Sequence, residues 1–229
     1  MNLASWISAS QLILQILVVP SAHGSTDPST KWMTLKTAHF DLIYDSAQYK
    51  QALRFAEYAE TAFTDLVPIF KEYPKKTVIW LNNTTDISNG MATAFPYPAI
   101  TILPVTPTSA QSVGEYGHWG QELLTHEYTH ILQFEPQHGL MGMLRWIFGS
   151  IVVPNGVLPR WWLEGMAVET ESQLSNGGRL RSIQQQAVLR ALASDHRLEA
   201  EDISRINEVV IPDWMGGGRP YLYGSLMWN

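Results

Sequence analysis

His126-Glu127-Tyr128-Thr129-His130 reads H-E-x-x-H, and what surrounds it decides how the chain is expected to fold. Two histidines four residues apart on a helix lie one turn apart on nearly the same face. Both imidazoles then reach a single Zn²⁺, and the glutamate beside the first histidine sits where it can take a proton from an activated water. The flanks support a helix. Leu123, Leu124, Ile131, Leu132 and Phe134 form an apolar frame, no Pro or Gly interrupts Gln121 to Glu135, and Pro136 ends the run. This pattern predicts a largely buried helix of about 14 residues. The bland alternative is a helix carrying two satisfied histidines and an exposed glutamate. Burying His126, Glu127 and His130 without partners is costly, and a metal ion removes that cost.

A catalytic zinc needs a third protein ligand and an open position. Pro159-Arg160-Trp161-Trp162-Leu163-Glu164-Gly165-Met166-Ala167-Val168-Glu169-Thr170-Glu171 offers Glu164. An acidic side chain among bulky apolar neighbours is either turned to solvent or held by a partner. Gly165 and Ala167 let this predicted helix pack closely against another.

H-E-Y-T-H at 126–130 followed by W-W-L-E-G-M-A at 161–167 resembles the gluzincins of the peptidase MA superfamily. The resemblance implies His126, His130 and Glu164 as zinc ligands, Glu127 as general base, and Glu171 in a supporting role. Two further stretches share it. Thr37-Ala38-His39-Phe40-Asp41-Leu42-Ile43-Tyr44 resembles the strand that opens peptidase MA-like domains, with His39 structural. Tyr221-Leu222-Tyr223-Gly224 resembles the element that supplies a transition-state tyrosine. Tyr221 holds the matching position and Tyr223 is the rival; ordinary packing is the other reading of both. Thirty-three residues separate His130 from Glu164, more than in thermolysin or aminopeptidase N, which argues against a close relative of either. The G-x-M-E-N element of aminopeptidase N is also missing. Its nearest counterpart, Gly90-Met91-Ala92-Thr93-Ala94, has no glutamate. The implied activity is zinc-dependent peptide-bond hydrolysis, with a peptide or protein substrate. A catalytically weak zinc-binding module and a metal-assisted hydrolase of esters or lipids stay open as alternatives.

Bulk properties narrow the field. The chain has 229 residues, of which 45% are hydrophobic, enough for a substantial core. Its formal charge of −6 and the absence of a basic block exclude an electrostatic nucleic-acid partner. There is no cysteine, so neither disulfides nor thiolate metal sites arise. Leu12 to Val19 is a short apolar run, and Ala22 and Gly24 suit a signal-peptidase site, although Met1 to Gln11 carries no Lys or Arg. Residues 1–24 are therefore expected to be a signal peptide and 25–31 a linker, with the peptidase-like domain over 32–229. Such a protein would be exported, to a bacterial periplasm or envelope. The alternative is an N-terminal helix of the mature domain.

The expected fold is α+β and zincin-like: a small mixed sheet with an edge substrate strand beside the active-site helix, then a mostly helical C-terminal lobe. Trp32 to Leu35, Phe40 to Tyr44 and Thr77 to Leu81 are predicted strands, and Ala47 to Val67 a helix ending at Pro68. Asn82 to Asn89 and Thr106 to Gly120 are predicted loops. Ala99 to Leu103 is the predicted edge strand to which a substrate could add. Segment 139–158 is unusually apolar, with Arg145 its one charge. It is expected to be a core helix and loop, a flap over the cleft, or a surface resting on a membrane. Arg179 to Ser194 is a predicted helix and Asp202 to Ile211 a short helix and turn. His118 is not expected to be a ligand. Pro220 to Asn229 looks like the start of a helix cut short, and relatives of this pattern often carry a C-terminal TolB-like β-propeller, which would lie outside this chain.

Overall fold

Strand Phe40–Asp45 (β2) sends Phe40, Leu42 and Tyr44 into the core and its intervening residues outward, as the period of two requires. The same alternation buries Ile79 and Leu81 of Thr77–Leu81 (β3) and Ile100 and Ile102 of Ala99–Leu103 (β5). With Trp32–Lys36 (β1) and Asn89–Thr93 (β4) these form a five-stranded mixed sheet of order β1-β2-β3-β5-β4. β2, β3 and β5 run parallel, while β1 and β4 pair antiparallel at the two edges. The computed structural model describes residues 27–107, 118–135, 139–153, 155–196, 205–207 and 218–228. The expected signal peptide, the start of the linker and most of the Asp202 to Ile211 segment lie outside the described residues.

The sheet corrects one expectation. Ala99–Leu103 is an internal strand, hydrogen-bonded on both sides, and the edge is Asn89–Thr93. Asn-Gly-Met-Ala-Thr has neither β-branched enrichment nor an apolar alternation, so nothing local marks it as a strand. It is extended because β5 pairs with it, in the register Asn89 to Leu103 through Thr93 to Ala99.

Helix α1, Tyr49–Phe70, covers the sheet with a face of Ala52, Phe55, Ala56, Ala59, Ala62 and Leu66. It runs past Pro68 rather than stopping before it. A proline this close to the C-terminus removes only one of the last backbone bonds. The end is instead set at Lys71, which turns left-handed (φ 56°) and returns its N–H to the Val67 carbonyl.

Helix α2, Trp119–Phe134, carries the H-E-x-x-H stretch. A 16-residue helix is marginal alone. Here Leu124, Tyr128, Ile131 and Leu132 are buried in the core formed with α1 and the sheet, at about 1.5–3 kcal/mol per large apolar side chain. His39 is structural as expected: its Nδ1 lies 2.6 Å from Glu60 Oε2, and its ring stacks on Phe63.

The remaining described helices are α3 (Gly139–Phe148), α4 (Arg160–Gln173), α5 (Ile183–Ser194) and α6 (Arg219–Trp228). α3 overturns the core-helix reading of segment 139–158: none of its residues is buried, and Trp146 is 86% exposed. Arg145 tethers it to the end of α2 through the Phe134 carbonyl and Glu135. α4 lies against α2 and crosses α6 at a contact of two glycines. A Cβ on Gly165 would fall 2.3 Å from the Gly224 carbonyl carbon, and one on Gly224 would fall 2.2 Å from the Trp161 oxygen. No other residue permits that approach.

Candidate metal centre

α2 has two working faces. Leu124, Tyr128, Ile131 and Leu132 face the core, while His126, Glu127 and His130 line a cleft of about 400 Å³. α4 supplies Glu164 from the opposite wall, and α6 brings Tyr221 to its rim. The edge strand β4 contributes Gly90, Met91 and Ala92. Gly90 is pressed so closely on Glu127 that a Cβ there would come within 2.7 Å of Glu127 Cγ. The edge strand and the proposed base are therefore in direct contact.

Glu164 Oε2 lies 3.3 Å from His126 Nε2 and 3.3 Å from His130 Nε2. Two ligands bound at about 2.0–2.1 Å on tetrahedral directions stand roughly 3.4 Å apart. The three donors already have nearly that spacing. They gather with all ligand atoms within 4.8 Å of one another, and His126 and Glu164 are only 2% and 8% exposed. The chemistry of the set, two imidazoles and one carboxylate with room beside them, fits a divalent cation of the zinc type.

The far side of each imidazole is held. His126 Nδ1 donates to Glu171 Oε2 at 2.8 Å, and His130 Nδ1 donates to Gln133 Oε1 at 2.9 Å. Gln133 is oriented in turn by donating its side-chain amide to the Leu163 carbonyl, and its backbone carbonyl accepts from the Asn155 side chain. With each Nδ1 held on its far side, both Nε2 atoms face Glu164, and a cation bound there would take the place of any Nε2 proton. Arg179 completes this layer. Its backbone N–H donates to Glu171 Oε1, and its guanidinium lies 4.9 Å from the Tyr221 ring centre. Arg179 Nη1 is also 3.3 Å from His126 Nδ1. Both atoms carry protons, so Glu171, not the ring, draws the guanidinium there.

The electrostatics follow from this packing. Burial and the Arg179 charge push the His126 pKa down, but its bonds to Glu164 and Glu171 outweigh them and raise it to about 9. Burial opposes ionisation of Glu164, yet its bonds to both histidines hold its pKa far below the usual carboxylate range. Glu171 is likewise lowered against burial, chiefly by Arg179. Glu127 moves the other way. Burial raises it, with the Glu164 charge adding to the effect. A carboxylate made more basic is a better proton acceptor near neutral pH. Burial also raises Tyr221 and keeps the phenol protonated, so its O–H is available as a donor.

His126, Glu127, His130, Glu164 and Tyr221 all line the one cleft. Tyr223 does not: it is 3% exposed in a separate apolar cluster with Leu192, Ile206 and Leu222. His118 caps the start of α2 and is outside the donor group. Sequence reasoning missed Gln133, Arg160 and Arg179. The first two had a usable signal, since Gln133 is three residues after His130 and Arg160 four before Glu164, both same-face helical spacings. Arg179 lies beyond a glycine turn and had none. No protein family, curated protein or solved structure compared with this chain matches it.

Proposed function

We propose that the chain is a zinc-dependent peptidase of the gluzincin type, with a zincin-like arrangement of sheet and active-site helix. The observation that carries this reading is the convergence of His126 Nε2, His130 Nε2 and Glu164 Oε2 at 3.3 Å separations, beside the buried Glu127 and against the edge strand β4. A zinc ion bound there supplies Lewis-acid polarisation and a water acidic enough to deprotonate near neutral pH. The Glu127 carboxylate takes a proton from the attacking water and returns it to the leaving amine. The Tyr221 O–H donates to the developing oxyanion. β4 offers backbone N–H and C=O groups along its unpaired side to an extended peptide. Gly90 places no side chain between this strand and Glu127, so the peptide can pass close to the base. Glu171 and Gln133 hold the imidazoles in the required tautomer.

The alternative of a catalytically weak zinc module is disfavoured by Glu127 itself, an acid kept buried in the cleft without serving as a ligand. The test is digestion of a broad peptide library with and without a zinc chelator, by the parent chain and by Glu127→Gln. Chelator-sensitive cleavage that disappears in Glu127→Gln while bound zinc persists is the expected result. Full activity in that variant rejects the assignment, and zinc binding with no cleavage by the parent favours the module.

A further inference from the structure

The cleft contains a cation that the chemistry above does not use. Arg160 is the sole Lys or Arg lining it among the described residues. Arg160 stands in the first turn of α4, four residues before Glu164 and on the same face. It differs from Arg179 in exposure. The Arg179 side chain is 14% exposed and is engaged with Glu171, whereas the Arg160 side chain is 49% exposed. Its contact with Glu164 Oε1 runs through Nε at 3.4 Å, and it also interacts with the Tyr221 phenol. These two oxygens take fewer bonds than a guanidinium can donate. The guanidinium lines the cleft half exposed, with donors to spare beyond those that Glu164 and Tyr221 take.

Charge gives those spare donors a preference. Glu171 is balanced by Arg179. With a divalent cation in place, the charges of Glu127 and Glu164 are offset and Arg160 leaves the cleft net positive. A planar fork at the mouth of such a site suits a carboxylate, which it can take with two parallel N–H···O bonds. Met91, Phe134, Leu158 and Leu163, which also line the cleft, are apolar side chains with no charge to offer a carboxylate.

We propose that Arg160 is a specificity-determining residue that receives a carboxylate of the peptide substrate, supplied by a free C-terminus or by an acidic side chain. The proposal rests on the peptidase reading, and binding without turnover separates the two. The protein used is zinc-loaded Glu127→Gln. The probe is one acetylated apolar hexapeptide in three forms: free C-terminal acid, C-terminal amide, and amide with a single interior glutamate. Calorimetry is expected to show one charged form binding about ten- to hundredfold tighter than the neutral amide, the range for a charge-assisted bond. A preference for the free acid identifies the C-terminus as the source; a preference for the glutamate form identifies a side chain. Adding Arg160→Gln, at saturating zinc, removes the difference, and Arg160→Lys restores part of it. Equal binding of all three forms overturns the proposal, as does a preference that survives Arg160→Gln. Should Arg160→Gln fail to fold, an undiminished preference in Arg160→Lys overturns it equally. Absence of cleavage by the parent, with the carboxylate preference intact, rejects the peptidase reading alone.

Discussion

Gly224→Ala isolates the contribution of tertiary structure to the site, because it alters no group in the cleft. The added Cβ would lie 2.2 Å from the Trp161 oxygen and 2.8 Å from Gly165 Cα. Both are backbone atoms, so no side chain can rotate away, and restoring ordinary contact separates α4 and α6 by about 1 Å. α4 is held on α2 by the Thr129–Thr170 hydroxyl pair, by Gln133 to the Leu163 carbonyl and by His126 to Glu171. α6 packs chiefly on α4, with Trp228 donating to the Trp162 carbonyl. The helix that yields is therefore α6, and Tyr221, one turn before Gly224, goes with it. Overpacking of this kind costs about 1–3 kcal/mol, which lowers the melting temperature without unfolding the domain. Loss of an oxyanion donor costs about 10²–10³ in kcat. Expected, then, is a loss of about a hundredfold in kcat on a peptide found in the library digestion, with zinc stoichiometry unchanged. Tyr221→Phe should do the same, and the double variant should be no worse than either single one, since both remove one interaction. Gly224→Ala with undiminished kcat, or losses that multiply in the double variant, would refute the reasoning.

The metal-free His126 keeps its proton up to about pH 9, so a cation must displace that proton to bind. Zinc affinity is expected to climb about tenfold per pH unit on approach to that value and level off above it. Calorimetry in buffers of differing ionisation enthalpy checks this, and affinity indifferent to pH contradicts it. Glu171→Gln removes a charge that raises His126. Chelator competition should show zinc affinity down about ten- to hundredfold and the plateau reached at lower pH. Should the parent plateau persist, Glu171 does not set the ligand's basicity. For the exposed helix α3, the parent chain is expected to sediment with liposomes and a Trp146→Ser, Phe148→Ser variant to stay in solution. Equal, negligible sedimentation of both removes the membrane role.

Where sequence expectation and structure agree, the information is local. His126 and His130 share a face because a helix repeats every 3.6 residues or so, and the buried flank Leu124, Tyr128, Ile131, Leu132 follows the same period. The strands with β-branched or aromatic alternation, Phe40–Asp45 and Thr77–Leu81, were legible for the same reason. Where they diverge, the cause is pairing or packing with distant residues. Asn89–Thr93 is extended only because Ala99–Leu103 hydrogen-bonds to it, and a pairing of that kind leaves no mark in the local sequence of the edge strand. The core reading of Gly139–Phe148 failed because hydrophobicity reports a preference for burial and not the presence of a surface to bury against.

By itself, then, the amino-acid sequence determined the shared helix face of His126 and His130, the Glu164 candidate and the α+β class, since each depends on spacing within one element or on composition. The tertiary structure decided which tyrosine faces the cleft, which strand borders Glu127, and which residues hold each imidazole. The resemblance puts Tyr221 at the matching position with Tyr223 as rival, and the packing of α6 on α4 is what sets Tyr221 beside His126 and buries Tyr223 with Leu192 and Ile206. The physical reason is that helical and strand periods are set by the backbone. The relative placement of helices is set by the side chains, or their absence, at the points where they meet.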